Sequence, residues 1–174
     1  MGLYSIILAA GEGKRMKSNI AKPLQQAAGK ALVEWVLDTA EETGSDENIV
    51  VIGHKAEDVK AYLGDRAKYA YQYEQLGTGH AVMQAQSFID KHLDDDIIIL
   101  NGDGPLIDAE TINKAFDYHK ENDNSITLIS AIVDDTNGIG HIQRDENGKL
   151  LRIIEHKDAN DAVSYTHLRA HETD

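Results

Sequence analysis

The chain has 174 residues, 41% of them hydrophobic and 27% charged, which is the composition of a soluble globular protein with room for one substantial core. Its formal net charge of −13 argues against nucleic acid or anionic lipid as a partner. There is no cysteine, no signal-peptide pattern and no apolar run near the roughly 20 residues of a membrane helix, so we expect a cytoplasmic protein without disulfides.

Apolar runs and helical periodicities alternate along the chain. The patterns predict strands over 4–9, 48–53, 67–72, 96–103 and 125–133, helices over 31–44, 57–64, 79–92 and 109–122, and a hairpin over 140–156 that turns at Asn147-Gly148. This order predicts an α/β fold, Rossmann-like, with a mostly parallel sheet. Ligands bind beyond the carboxyl ends of such strands, so the loops after Ala9, Gly53, Gln72 and Asp103 should face one crevice.

The first loop, in LAAGEGKRM (8–16), carries two glycines and two cations directly after a strand. It fails the P-loop pattern because Leu8 and Arg15 stand at required positions, and it fails the dinucleotide pattern because Met16 replaces the third glycine. Gly11 and Gly13 still allow backbone N–H groups to approach a phosphate closely. A plain strand-to-helix turn is the alternative.

Two further loops carry candidate ligand groups. In NGDGPL (101–106), Asp103 follows an apolar strand and could hold Mg²⁺, although aspartate is also a common turn residue. In QYEQLGTGHA (72–81), Gln72 could bind a base or sugar edge, and Thr78 lies between two glycines at a predicted helix start. The alternative for this second loop is a simple helix cap.

Together, LAAGEGKRM, Lys22, GKALVEWVL, QYEQLGTGHA, NGDGPLI and IIEHKDA resemble one family over about residues 4–161. It is the uridylyltransferase domain of bacterial bifunctional N-acetylglucosamine-1-phosphate uridylyltransferase/glucosamine-1-phosphate acetyltransferases. The resemblance implies a nucleotidyltransferase-type sheet, here incomplete. It also implies transfer of uridylyl from UTP to N-acetylglucosamine 1-phosphate, giving UDP-N-acetylglucosamine and pyrophosphate with Mg²⁺ as cofactor.

The resemblance also assigns roles to individual residues. It implies that the nucleotide pocket is lined by Leu8, Ala9, Ala10 and Gly11, and that Arg15 and Lys22 bind phosphates. It implies that the uracil faces Gln72, Gly77 and Thr78. It also implies that Asp103 binds the metal and that Gly140 and Glu155 contact the sugar.

The chemistry suits such residues. A phosphate monoester has a second pKa of about 6, so the sugar phosphate is largely dianionic at neutral pH and needs no general base. Catalysis then requires positioning of two anions and neutralisation of the leaving pyrophosphate. The absence of a Ser/His/Asp constellation from the sequence agrees with this requirement.

The carboxyl-terminal residues do not follow the family. VSYTHLRAHET (163–173) resembles the translation of a sequencing adapter, so we expect a partial transferase domain over 1–161 and a non-native, disordered tail over 162–174. The later family segments, including a second metal ligand and the acetyltransferase domain, are absent from this sequence. We therefore expect the fragment to be weakly active or inactive, and the parent to trimerise through the missing domain.

Two other functions remain open at this stage. The chain could be another sugar-1-phosphate nucleotidyltransferase that uses dTTP, CTP or GTP, or a non-catalytic nucleotide-binding module. The residues facing the base would discriminate among nucleotides, and release of pyrophosphate would separate an enzyme from a binding module.

Overall fold

The computed structural model describes residues 2–13, 16–131, 140–146 and 148–154. The chain divides into two compact units, Met1–Asn124 and Ser125–Asp174. Within the described residues, no helix is both long and apolar enough to cross a membrane.

The first unit alternates strands and helices. In chain order its elements are β1 (Leu3–Ala9), the short strands β2 (Gln26–Ala27) and β3 (Lys30–Ala31), α1 (Leu32–Glu42), β4 (Glu47–Ile52), α2 (Ala56–Leu63), β5 (Lys68–Tyr71), α3 (Thr78–Met83), α4 (Gln86–Ile89), β6 (Asp96–Asn101) and α5 (Ala109–Glu121). Short 3₁₀ turns over Lys22–Leu24 and Gly64–Arg66 complete it. The predicted α/β class is confirmed.

A four-stranded parallel sheet in the order β5-β4-β1-β6 forms the centre of this unit. Ile6 of β1 is in register with Ile49 of β4 and with Ile99 of β6. β4 and β5 lie on one side of β1, whereas β6, which comes later in the chain, lies on the other side. The strand order therefore reverses between β1 and β6. In open α/β sheets, ligands bind at this switch point, beyond the carboxyl ends of the strands.

The two central strands are buried on both faces, which explains why they are continuous apolar runs. Alternate side chains of β1 and β4 contribute to two clusters. One cluster includes Ile7, Val50 and Ile52 with Val33, Val36 and Leu37 of α1; the other includes Ile6, Ile49 and Val51 with Ala81, Ala85 and Phe88 of the α3–α4 segment. Each fully buried aliphatic side chain contributes about 1.5–3 kcal/mol, so this packing holds the strand ends in fixed relation.

The helix predicted over 79–92 is interrupted between Met83 and Gln86. The side-chain amide of Gln84 donates to the backbone carbonyl of His80, while the Gln84 N–H turns to the carbonyl of Ala81. In a continuous α-helix the His80 carbonyl would accept from the backbone N–H of Gln84, but here it accepts from the Gln84 side chain. The segment therefore forms two short helices.

In the second unit the structure confirms one prediction and corrects another. β7 (His141–Arg144) and β8 (Leu150–Ile154) form an antiparallel hairpin, with Gly148 at φ +81° in the predicted turn; Asn147 lies outside the described residues. The strand predicted over 125–133 is wrong for residues 125–131, which have no strand pairing in the part of the chain described. A strand-like sequence alone does not make a strand, because its backbone groups must find a partner strand.

Candidate active site

Three loops enclose a pocket of about 470 Å³ at the switch point of the sheet. They follow β1, β5 and β6, three of the four strand ends that the sequence assigned to one crevice. The pocket is lined by Leu8, Ala9, Ala10, Gly11, Glu12, Gly13, Lys22, Pro23, Gln72, Gln75, Gly77, Thr78, Ala81, Asn101, Gly102 and Asp103.

Most of the predicted site residues therefore lie around a single cavity of the first unit. Arg15 and Glu155 lie outside the described residues. Gly140 belongs to the second unit, where it precedes β7 and packs near Ile153. The roles of the individual residues stay predictions.

The loop residues Gly11–Gly13 after β1, here called the glycine bend, include two glycines that are present for different reasons. Gly13 has φ +64°, and a β carbon built on it would lie 2.7 Å from Cβ of Lys22. Gly13 is thus required by its backbone conformation and by its close approach to a side chain. A β carbon on Gly11 would meet nothing within 4 Å, so packing does not explain that glycine. Its missing side chain instead leaves space at the pocket.

Lys22 and Asp103 form an ion pair in the wall of the pocket, with the Lys22 ammonium donating to the Asp103 carboxylate. Their side chains are 34% and 40% exposed. An ion pair with this exposure contributes about 0–1 kcal/mol to stability. Both charged groups are therefore available to a ligand at little cost to the fold.

Asp103 is positioned by a close approach of β6 to β1. The Gly102 N–H donates to the Leu8 carbonyl at 2.9 Å, which extends the pairing of the two strands by one residue. A β carbon on Gly102 would lie 2.9 Å from that same oxygen. The Gly104 N–H then donates to the Asn101 carbonyl at 3.0 Å, closing a tight turn that directs Asp103 to the pocket.

Gln72 lines the pocket but is only 4% exposed. Its side-chain nitrogen donates to the Gly77 carbonyl at 3.2 Å and lies 3.0 Å from Nδ1 of His80. The amide of Gln72 thus joins the end of β5 to the start of α3. Because its side-chain amide donates to the Gly77 carbonyl, Gln72 shapes the loop that carries Gly77 and Thr78.

Sequence reasoning missed several residues of the pocket. Gln75 is exposed, lies three residues after Gln72 in the same loop, and lines the cavity. Asn101 is the last residue of β6 and also lines the cavity. The signal for both was their position at the carboxyl end of a parallel strand. Glu12, Pro23, Ala81 and Gly102 complete the missed set.

The donor set suits a magnesium ion shared with a phosphate ligand. The described residues contain no group of three or more His, Cys, Asp or Glu side chains arranged to hold a metal. Mg²⁺, however, is commonly bound through one or two carboxylates together with substrate phosphates and water. The single carboxylate of Asp103 in the wall of the pocket meets that requirement.

The loop after β4 corrects the expectation of one common crevice. Gly53 lines a neighbouring cavity of about 410 Å³, together with His54, Lys55, Ala56, Glu57, Tyr71, Gln72, Tyr73 and Gln75. A β carbon on Gly53 would lie 2.8 Å from the Ala10 carbonyl oxygen and 2.9 Å from that of Gln72. The neighbouring strand ends thus pack closely against this glycine, and its loop lines an adjacent cavity that shares Gln72 and Gln75 with the first pocket.

Comparison with known proteins gives three consistent findings. Residues 5–160 match the model of the MobA-like NTP transferase domain. Bifunctional protein GlmU of Thermoanaerobacter pseudethanolicus is 48% identical over 95% of this chain and 36% of its own length. GlmU of Caldanaerobacter subterraneus subsp. tengcongensis is 50% identical over 91% and 34%. The chain thus spans about a third of the length of these curated relatives.

A solved structure agrees at the level of the fold. A Bacillus anthracis crystal structure assigned as a glucose-1-phosphate thymidylyltransferase superposes with a TM-score of 0.66, at 19% identity, over 89% of this chain and 65% of that one.

Proposed function

The chain belongs to the MobA-like NTP transferase domain family, and from this membership we propose that it is a uridylyltransferase domain acting on UTP and N-acetylglucosamine 1-phosphate. The products are UDP-N-acetylglucosamine and pyrophosphate. The relatives named GlmU, at 48% and 50% identity, support this choice among nucleotidyl transfer reactions.

The observation that carries the proposal is the convergence of three loops on one pocket at the switch point. A glycine bend, a cation–carboxylate pair and the amino end of α3 line the same 470 Å³ cavity, although they come from widely separated parts of the chain. A cavity of that size lies within the range of small-molecule and cofactor sites.

The proposed chemistry is an in-line displacement. A phosphate oxygen of the sugar phosphate attacks the α-phosphorus of UTP, the bond from that phosphorus to its bridging oxygen breaks, and pyrophosphate leaves with the bond's electron pair. The attacking oxygen is already ionised, so the protein's task is to align two anions and neutralise the leaving group.

The residues of the pocket can divide this task. The backbone around Gly11 and Gly13 approaches the nucleotide phosphates, and Lys22 supplies positive charge beside them. Arg15, outside the described residues, is proposed to act with Lys22. Asp103 would hold Mg²⁺, which would supply positive charge that lowers the repulsion between the anionic substrates.

We assign the recognition of uracil to the loop between β5 and α3. Gln72 fixes the loop through the Gly77 carbonyl, and Thr78 begins α3 with an exposed side chain at the pocket. Gly140 and Glu155 remain proposed sugar contacts. In this proposal the edge of the uracil contacts the loop between β5 and α3, and the shape of that loop depends on the buried side-chain amide of Gln72.

Nucleotide-dependent thermal stabilisation of the 174-residue chain tests this proposal. With Mg²⁺ present, we expect UTP to raise the Tm more than CTP, GTP or dTTP. A larger shift with dTTP would instead indicate a thymidylyl transfer enzyme. The absence of a shift with every nucleotide would contradict a nucleotide site altogether.

Pyrophosphate release separates an enzyme from a nucleotide-binding module. UTP with N-acetylglucosamine 1-phosphate should release pyrophosphate, whereas UTP with glucose 1-phosphate should release much less. Binding of UTP without release under either condition would favour the non-catalytic module for this chain.

A further inference from the structure

We propose that Lys22 is the resident cation on the Asp103 carboxylate before substrates bind, and that a divalent cation competes with its ammonium for this carboxylate. Arrival of the metal then releases Lys22 toward the phosphates of the nucleotide. This inference rests on the proposed function in one respect, since it takes Asp103 as a metal ligand.

Lys22 and Asp103 form a partly exposed ion pair in the pocket. The Lys22 ammonium donates to Asp103 Oδ2 across 81 positions of sequence, and both residues line the same pocket. Both side chains retain more than a third of their exposure, so solvent and small ions reach them. A pair of this kind exchanges partners readily, because it contributes only about 0–1 kcal/mol.

The stem of Lys22 is confined by packing, whereas the side chain as a whole remains partly exposed. Its backbone lies in the 3₁₀ turn Lys22–Leu24, next to the buried Pro23. Its Cβ, Cγ and Cδ lie 2.7, 3.2 and 3.3 Å from the position of a β carbon on Gly13. The stem is therefore confined against the glycine bend, and the flexible end can contact either Asp103 or a phosphate in the pocket.

Two cations compete for the single carboxylate of Asp103. The ammonium and a divalent cation cannot share one carboxylate oxygen without strong repulsion. In nucleotide-free protein, Lys22 should therefore weaken metal binding, whereas with UTP bound it should strengthen nucleotide binding. A lysine that serves only phosphate would leave the metal affinity of the nucleotide-free protein unchanged.

Binding of Mn²⁺ to the nucleotide-free chain, measured by the EPR signal of free Mn²⁺, tests the proposal. Lys22→Met should bind Mn²⁺ about fivefold more tightly than the wild type, corresponding to removal of about 1 kcal/mol of competition. Lys22→Arg should bind like the wild type. In the Asp103→Asn background, the effect of Lys22→Met should disappear.

Lys68→Met is the matched control. It also removes one positive charge and one ion pair, with Glu47, but Lys68 lies on β5 at a site that does not line the pocket. Its Mn²⁺ affinity should equal that of the wild type. If Lys22→Met and Lys68→Met gained equal affinity for Mn²⁺, the change in net charge alone would explain the gain. That result would overturn the proposal.

Unchanged or weaker Mn²⁺ binding by a folded Lys22→Met protein, with a wild-type circular dichroism spectrum, would also overturn it. UTP binding is measured separately on the same proteins and should weaken in Lys22→Met. If the wild type binds Mn²⁺ through Asp103 but does not bind UTP, the proposed function fails while the competition between cations stands.

Discussion

Gly13 packs directly against the stem of Lys22, with only 2.7 Å between a β carbon on Gly13 and Cβ of Lys22. The ammonium of Lys22 in turn contacts Asp103, at the end of a different strand. The glycine bend, the lysine and the aspartate thus form one wall of the pocket. Each step of this contact chain predicts a measurable consequence.

Replacement of Gly13 by alanine should damage both the fold and the site. The new methyl group would meet Lys22 Cβ at 2.7 Å, in a backbone conformation of φ +64° that alanine disfavours. We expect a loss of about 1–3 kcal/mol in the free energy of unfolding, measured by urea denaturation. UTP binding should weaken as Lys22 is displaced.

Gly11→Ala is the matched control for Gly13→Ala. A β carbon there would meet nothing within 4 Å, so the free energy of unfolding should stay within about 0.5 kcal/mol of the wild type. UTP binding should still weaken, because the methyl group occupies space at the pocket. Wild-type UTP affinity in Gly11→Ala would remove this glycine from the binding site.

Gly102→Ala should displace Asp103 more than Gly104→Ala. A methyl group on Gly102 would lie 2.9 Å from the Leu8 carbonyl oxygen, whereas on Gly104 its nearest neighbour would be 3.5 Å away. We expect Gly102→Ala to cost about 1–3 kcal/mol, because the backbones of β1 and β6 must separate. Chemical denaturation and Mn²⁺ binding of the two variants give the comparison, and equal behaviour would contradict this packing argument.

Gln72→Ala should destabilise the protein, whereas Gln75→Ala should not. Gln72 is 4% exposed and its side-chain amide donates to the Gly77 carbonyl, so loss of this hydrogen bond should cost about 0.5–1.5 kcal/mol. Gln75 is exposed and should change stability by less than about 0.5 kcal/mol. Thermal denaturation measures both, and preference for UTP over CTP should fall in Gln72→Ala.

Asp38 makes stability depend on acid pH. Partial burial raises the pKa of its carboxyl group, but hydrogen bonds from Lys30 and Arg66 outweigh this, and the net pKa is below the usual 3.8. Its contribution is therefore complete above that value and is lost as the pH falls through the lower folded pKa.

Comparison of the wild type with Asp38→Asn measures this contribution. The variant should be about 1 kcal/mol less stable near neutral pH, and the difference should shrink as the pH falls from 3.8 through the lower folded pKa of Asp38, where its carboxyl group becomes protonated and is uncharged like the asparagine amide. Glu110→Gln, which removes an exposed carboxylate paired with Lys114 on the same helix, is the control. A constant difference down to pH 2 would contradict the assignment.

Much of the first unit could be predicted from apolar patterning. The runs at 4–9 and 48–53 are continuous because β1 and β4 are buried on both faces. The helix predicted over 79–92 is divided in the structure because the side chain of Gln84 donates to the carbonyl of His80. The strand predicted over 125–133 requires a partner strand, which a strand-like sequence does not itself supply.

The sequence by itself determined the α/β order, and with it the edge of the sheet where the glycine bend, Thr78 and Asp103 would meet. That much follows from chain connectivity, because parallel strands direct all their carboxyl ends to one side. Only the tertiary structure decided that Lys22 contacts Asp103, and that the Gln72 side chain donates to the Gly77 carbonyl. It also decided that Gly53 lines the neighbouring cavity. These contacts join residues whose spacing follows no helix or strand period, and they depend on how closely neighbouring strands and loops pack.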